Sequence, residues 1–307
     1  MTRVSTAGSY ANVLINIQQI QARQEEAGAQ VSSQVKANDY KGYARDAEVL
    51  TAMRGVQSKV EGLRGQTHLL GAKLEMQASG LAQVSDAAAG AREVIATAIA
   101  AENGDTLMQQ LQNYFTDAIS GMNIKYDGKY LFSGGKVDEK AVTAVNLADL
   151  TTAPATADLF NNDDFKVASR LDENTTLETG MLASEIGTDL FEQLKVVQAY
   201  VDANGPFDGP LSQAQNDFLK SVLDDFDGVH RDLIATEASN GVLQNRAEDA
   251  KDALSKRADM LEAMTGDIVN VDLAEAISKL EQVQISMQAA AQVFASLRSS
   301  SLLDILQ

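Results

Sequence analysis

The sequence predicts a mainly α protein: an elongated antiparallel helical-bundle rod of paired N- and C-terminal helices, with an inserted small β-rich domain. Three observations predict it. Apolar residues recur at alternating spacings of three and four over long stretches on both sides of the chain centre. The longest stretches exceed the dimensions of a compact globule of 307 residues. Acidic residues, prolines and phenylalanines gather in the middle of the chain instead of spreading along it.

The first seam is Tyr10, Val13, Ile17, Ile20, Gln24, Ala27, Val31 and Gln34, apolar at six of eight positions. The second steps through Met53, Val56, Val60, Leu63, Thr67, Leu70, Leu74, Gln77, Leu81, Val84, Ala88, Ala91, Ile95 and Ala98, apolar at twelve of fourteen. Such a seam is the signature of a helix packed in coiled-coil fashion. Its 46 residues make a helix of roughly 70 Å, against a diameter of about 50 Å for a compact chain of this length. Gly55, Gly62, Gly65, Gly71, Gly80 and Gly90 fall inside this helix and off its seam. Each costs about 1 kcal/mol relative to Ala, so the helix depends on packing.

Residues 127–227 carry 19 acidic and 7 basic residues, a net of −12 out of −18 for the whole chain. All three prolines and seven of the nine phenylalanines lie there too. Strand-like segments are expected at Val137–Leu147, Phe165–Leu171 and Thr176–Leu182. Leu190, Leu194, Val197 and Val201 then predict a short amphipathic helix before Gly205-Pro206.

The third seam runs Leu219, Val222, Phe226, Val229, Leu233, Thr236, Asn240, Leu243, Ala247, Ala250, Leu254, Arg257, Leu261, Met264 and Ile268, apolar at twelve of fifteen positions. The fourth, Leu273, Ala276, Leu280, Val283, Met287, Ala290, Phe294 and Leu297, is apolar throughout. Matching lengths pair second with third and first with last. Polar seam positions such as Gln24, Gln34 and Asn240 are expected to fix register. The expected domains are 1–42 with 266–307 as a terminal assembly unit, 43–128 with 186–265 as a helical rod, and 129–185 as the β-rich outer insert. A two-helix end of about 35 residues buries little area alone, so copies of itself are its expected neighbours. The predicted subunit-interface residues are Val13, Ile17, Ile20, Val31, Leu273, Leu280, Val283, Met287, Phe294 and Leu297.

Composition bounds the chemistry. A net charge of −18 argues against nucleic acid and against an anionic membrane surface. With no Cys there is no thiol nucleophile, disulfide or Cys-based zinc site. The two histidines, His68 and His230, lack ligand residues at i+4: Ala72 follows the first and Ile234 the second. No His-Glu-x-x-His and no phosphate loop occurs. Asn161-Asn162-Asp163-Asp164 lacks the alternating ligands of a calcium loop and reads as a solvated acidic turn. No catalytic, cofactor-binding or metal-binding residues are expected, and no cofactor. There is no secretory signal pattern and no apolar run long enough to span a membrane, which by composition alone points to the cytoplasm.

The ends change that expectation. The chain opens Thr2-Arg3-Val4-Ser5-Thr6 with Tyr10 following. It closes on Val271-Asp272-Leu273-Ala274-Glu275-Ala276-Ile277-Ser278-Lys279-Leu280, a Gln-rich stretch, and Ser301-Leu302-Leu303-Asp304-Ile305-Leu306. With Tyr130-Leu131-Phe132-Ser133-Gly134-Gly135, these segments resemble the flagellin superfamily over about residues 1–135 and 215–307. Within it they are more similar to the hook–filament junction proteins than to filament flagellins, which open on an Asn-Thr-Asn run. The linker Lys36–Tyr43 departs from the family's acidic turn, having one Asp and no Pro. The resemblance implies a non-enzymatic subunit exported without a cleaved signal peptide. It further implies a homo-oligomeric ring between the first hook-associated protein and flagellin, and an export chaperone before secretion. Filament flagellin is the near alternative. An intracellular coiled-coil scaffold is the alternative of a different class.

Overall fold

The computed structural model describes residues 2–303, with side chains described over 11–296. Tyr10, Leu297 and the extreme terminal motifs lie outside the described side chains. The helices are α1 (Thr2–Ser33), α2 (Ala47–Ala101), α3 (Leu107–Met122), α4 (Leu147–Thr152), α5 (Ala183–Asn204), α6 (Gln213–Val269) and α7 (Leu273–Leu303). The strands are β1 (Lys125–Tyr126), β2 (Lys129–Tyr130), β3 (Ala168–Arg170) and β4 (Thr176–Glu178). They form two separate antiparallel hairpins, β1–β2 and β3–β4. The protein is therefore mainly α, with a small strand-bearing insert. Its residues divide into two compact units, 60–256 and 1–59 with 257–307.

In the unit of residues 60–256, every predicted α2 seam position from Val60 to Ala98 is buried. On α6, Leu219, Val222, Phe226, Val229, Leu233, Asn240, Ala247 and Leu254 are buried. The two helices run antiparallel. Near one level Arg92 and Asp227 form a two-pronged ion pair. Further along, Asn240 and Gln244 both donate to the Leu74 carbonyl, at 3.0 and 3.1 Å.

Helix α3 lies beyond the second seam, whose last position is Ala98. It buries Leu107, Leu111, Phe115, Ala118 and Met122, one amphipathic face laid back along α2. Two glycines permit the approach. A Cβ on Gly80 would stand 2.8 Å from the Gly121 carbonyl oxygen, and one on Gly121 would stand 2.7 Å from that of Gly80. Helix α5 closes the bundle: Phe191 stacks on Phe160 and meets Phe115 at a tilt, with both centroid distances 5.0 Å. Leu81–Ala98 of α2, α3, α5 and Leu219–Leu233 of α6 thus share one core. A small second cluster joins Leu70 and Leu74 of α2, Ala247 of α6 and Leu171 beside β3.

The insert's strands are shorter than the sequence predicts. Val137–Leu147 forms no strand; Val142 makes a lone bridge to Phe160. The Asn123 side chain takes a strand's place there, accepting from the Val142 N–H and donating to its carbonyl, both at 3.0 Å. The other two segments contract to β3 and β4. The predicted short helix is α5, 22 residues long, ended by Gly205 at φ +87°, a left-handed conformation that suits glycine.

In the unit of residues 1–59 and 257–307, α1 packs along α7. Its linkers are hydrogen-bonded where chain segments cross. The Lys36 N–H donates to the Val269 carbonyl at 2.8 Å and the Val271 N–H to that of Gln34 at 3.0 Å. Gln34, read in the sequence as a seam position, is exposed and lies beyond α1 at φ +60°, so it plays no register role in the seam.

Candidate functional site

The sequence-predicted site is the terminal helix pair. On α1, Val13, Ile17, Ile20 and Val31 are half-buried, with Ala27 buried among them, while most of the residues between are exposed. On α7, Leu280, Val283, Met287 and Phe294 are half-buried and Ala276 is buried. These stripes form the seam between α1 and α7 within one chain. Leu273 sits exposed at the first turn of α7, immediately after the cap residue Asp272. The Asp272 carboxylate accepts from the N–H groups of Ala274 and Glu275 at 2.9 and 3.2 Å, which satisfies donors the helix leaves open. Leu297 lies outside the described side chains.

A different apolar set faces outward. Leu14 and Ile15 on α1 and Ile277, Ile285 and Val293 on α7 are exposed, Ile285 to 66%. The heptad count passed over them because it followed a single stripe per helix. A helix apolar on more than one face buries more than one face, and that was the available signal.

The segments at the base of this pair are fixed by side chains. The Lys36 ammonium donates to the carbonyls of Asp267 and Ile268 at 3.0 and 2.8 Å, a cation at a helix C-terminus. The Tyr43 hydroxyl donates to the Ala37 carbonyl at 2.7 Å and accepts from the Ala37 N–H at 3.1 Å. Asp39 Oδ1 accepts from the Gly42 N–H at 3.1 Å. Arg54 donates to the Tyr40 hydroxyl at 2.7 Å and lies over its ring. The linker that departs from the family's acidic turn is thus closed by a carboxylate cap and a buried tyrosine.

The Tyr130–Gly135 segment and the Asn161–Asp164 turn meet in the other unit. Phe132 is fully buried, and Gly134 turns at φ +67° with Asp163 where a side chain would stand. Asp163 Oδ1 accepts from the N–H groups of Gly135 and Phe165, at 2.7 and 3.1 Å. Those bonds hold its carboxyl below the usual aspartate range, the Gly135 contact contributing most. Asn162 caps α5, accepting from the Ser184 N–H at 3.1 Å and donating to the Ser184 hydroxyl at 3.0 Å. The acidic turn, solvated at the exposed Asp164, also serves as a bracket between loops.

His68 lines a polar groove of about 440 Å³ with Glu75, Gln244 and Glu248. His230 is half-buried on α6. Among the described residues no three of His, Asp and Glu converge to hold a metal ion. No described helix is long and apolar enough to cross a membrane.

Residues 223–306 match the bacterial flagellin C-terminal helical region. No curated protein matches the sequence. Among solved structures, the chain is similar to a putative flagellar hook-associated protein from Vibrio parahaemolyticus, with TM-score 0.59 and 17% identity over 73% of this chain and 97% of that one. It is also similar to FlgL of Bacillus cereus, with TM-score 0.55 and 14% identity over 70% of this chain and 99% of that one. The matched region spans most of α6 and α7, including every described outward apolar residue of α7. The chain thus carries a flagellin C-terminal helical region over residues 223–306 and shares its fold with these flagellar proteins.

Proposed function

We propose that the protein is a structural, non-enzymatic subunit of the bacterial flagellum. It forms the junction ring between the hook-associated protein on the hook side and the flagellin filament. It reaches that place by export without a cleaved signal peptide, held beforehand by a cytoplasmic chaperone. The observation that carries this reading is the pairing of a flagellin C-terminal helical region with apolar residues on the outer faces of α1 and α7. An isolated two-helix pair leaves Leu14, Ile15, Ile285 and Val293 in water. Covering them with the same pair from neighbouring copies removes that cost. Filament flagellin is the second reading, favoured by the matched region being the flagellin one.

The two apolar sets give the test. Leu280→Asp acts on the intramolecular seam, so it loosens α1 from α7 in the free chain and also blocks assembly. Ile285→Asp acts on an exposed position, so the free chain keeps its helix content and melting profile while incorporation into flagella is lost. Normal incorporation of both variants, read by immunoblot of purified flagella, would contradict the reading.

A further inference from the structure

A second surface lies in the unit of residues 60–256. Leu69, immediately before Leu70 of the second buried cluster, is 60% exposed. It borders a cleft of about 350 Å³ whose other walls include Lys73, Tyr126, Val167 and Arg170. The floor is apolar and the rim carries two cations, in a chain whose net charge is −18.

The cations differ in state. Arg170 spends its guanidinium on the carbonyls of Asp172 and Glu173. Lys73 is half-buried and has no ion-pair or hydrogen-bond partner among the described residues. Burial alone pushes its ammonium below the usual lysine range. An ammonium that loses water without gaining a carboxylate is a cost in the isolated chain, and so is an exposed leucine beside it. Both are removed by one kind of occupant: an apolar surface bearing a carboxylate.

The chain itself supplies such surfaces. With 43 acidic residues against 25 basic, a second copy offers carboxylates in excess over competing cations. We propose that this cleft is a contact between copies of the chain, in which a carboxylate of a second copy pairs with Lys73 and an apolar side chain covers Leu69. The inference rests on the flagellar reading, because a repeating assembly is what sets copies side by side. It adds a charged lateral contact outside the terminal helices.

The test is acylation of lysines by acetic anhydride on the full chain, once free and once in purified flagella, with the exposed Lys220 as internal reference. The expected result is a fall in the Lys73-to-Lys220 labelling ratio on assembly, because an ammonium buried against a carboxylate is neither accessible nor a free amine. An unchanged ratio in flagella that contain the chain overturns the cleft contact and leaves the flagellar reading standing. Absence of the chain from flagella overturns the flagellar reading, and the contact with it. As a second measurement, Lys73→Glu should keep the melting profile and lower recovery in flagella; undiminished recovery counts against the contact.

Discussion

Glycines show how much of the molecule is decided by single residues. The sequence marks six of them in one long helix as equivalent liabilities. The structure separates them. Gly55, Gly62, Gly65 and Gly71 face open space, whereas Gly80 meets the Gly121 carbonyl and Gly90 meets the Tyr114 ring. Gly62→Ala should therefore stabilise the chain by up to about 1 kcal/mol. Gly80→Ala should destabilise it by about 1–3 kcal/mol, since the helices cannot separate without opening the core. Urea denaturation of both variants checks the opposite signs. Asp163 gives a second prediction at this scale. Its folded-state value is depressed by the Gly135 and Phe165 N–H groups, so its contribution is complete above the ordinary aspartate value of about 3.9. It is lost only as pH falls through the lower, folded value. The Gly135 amide resonance should titrate with a midpoint below about 3.9, and in Asp163→Asn that titration should vanish. A midpoint at or above the ordinary value would remove the bracket from the account.

Elements were legible in proportion to their periodicity. Positions from Val60 to Ala98 were readable because each burial event recurs every three or four residues, and all are buried. The third seam held to Leu254; beyond it Arg257 and Met264 are exposed while Ala258 and Thr265 are half-buried. Leu261 and Ile268 of the predicted seam stay half-buried, so only its alternate positions move by one residue. The insert was harder to read because its order comes from side chains bonding to backbone, as Asn123 does to Val142 and Asp163 to Gly135. Such bonds leave no period in a sequence. The outward apolar residues of the terminal pair lay in plain view but were masked by the more regular stripe beside them. Asn240 carries the element-scale prediction. It is fully buried and grips the Leu74 carbonyl, yet its own Oδ1 has no partner. An unpaired buried acceptor costs about 1–3 kcal/mol, while a buried polar seam residue selects one register. Asn240→Leu should raise the melting midpoint. It should also broaden the set of α2–α6 cross-links formed by cysteine pairs introduced into this cysteine-free chain. A lowered midpoint with a single surviving register would contradict this role.

At the scale of the whole molecule, charge is unevenly placed. Residues 127–227 hold −12 of the −18 net charge, while the described termini are near-neutral and carry the outward apolar residues of α1 and α7. An acidic middle in contact with water suits a subunit whose proposed assembly contacts lie at its ends. The central claim concerns place: a ring at one boundary of the flagellum. Immunogold electron microscopy of intact flagella tests it most directly. The account predicts label confined to the distal end of the hook. Label along the whole filament, or none on the flagellum, would contradict it.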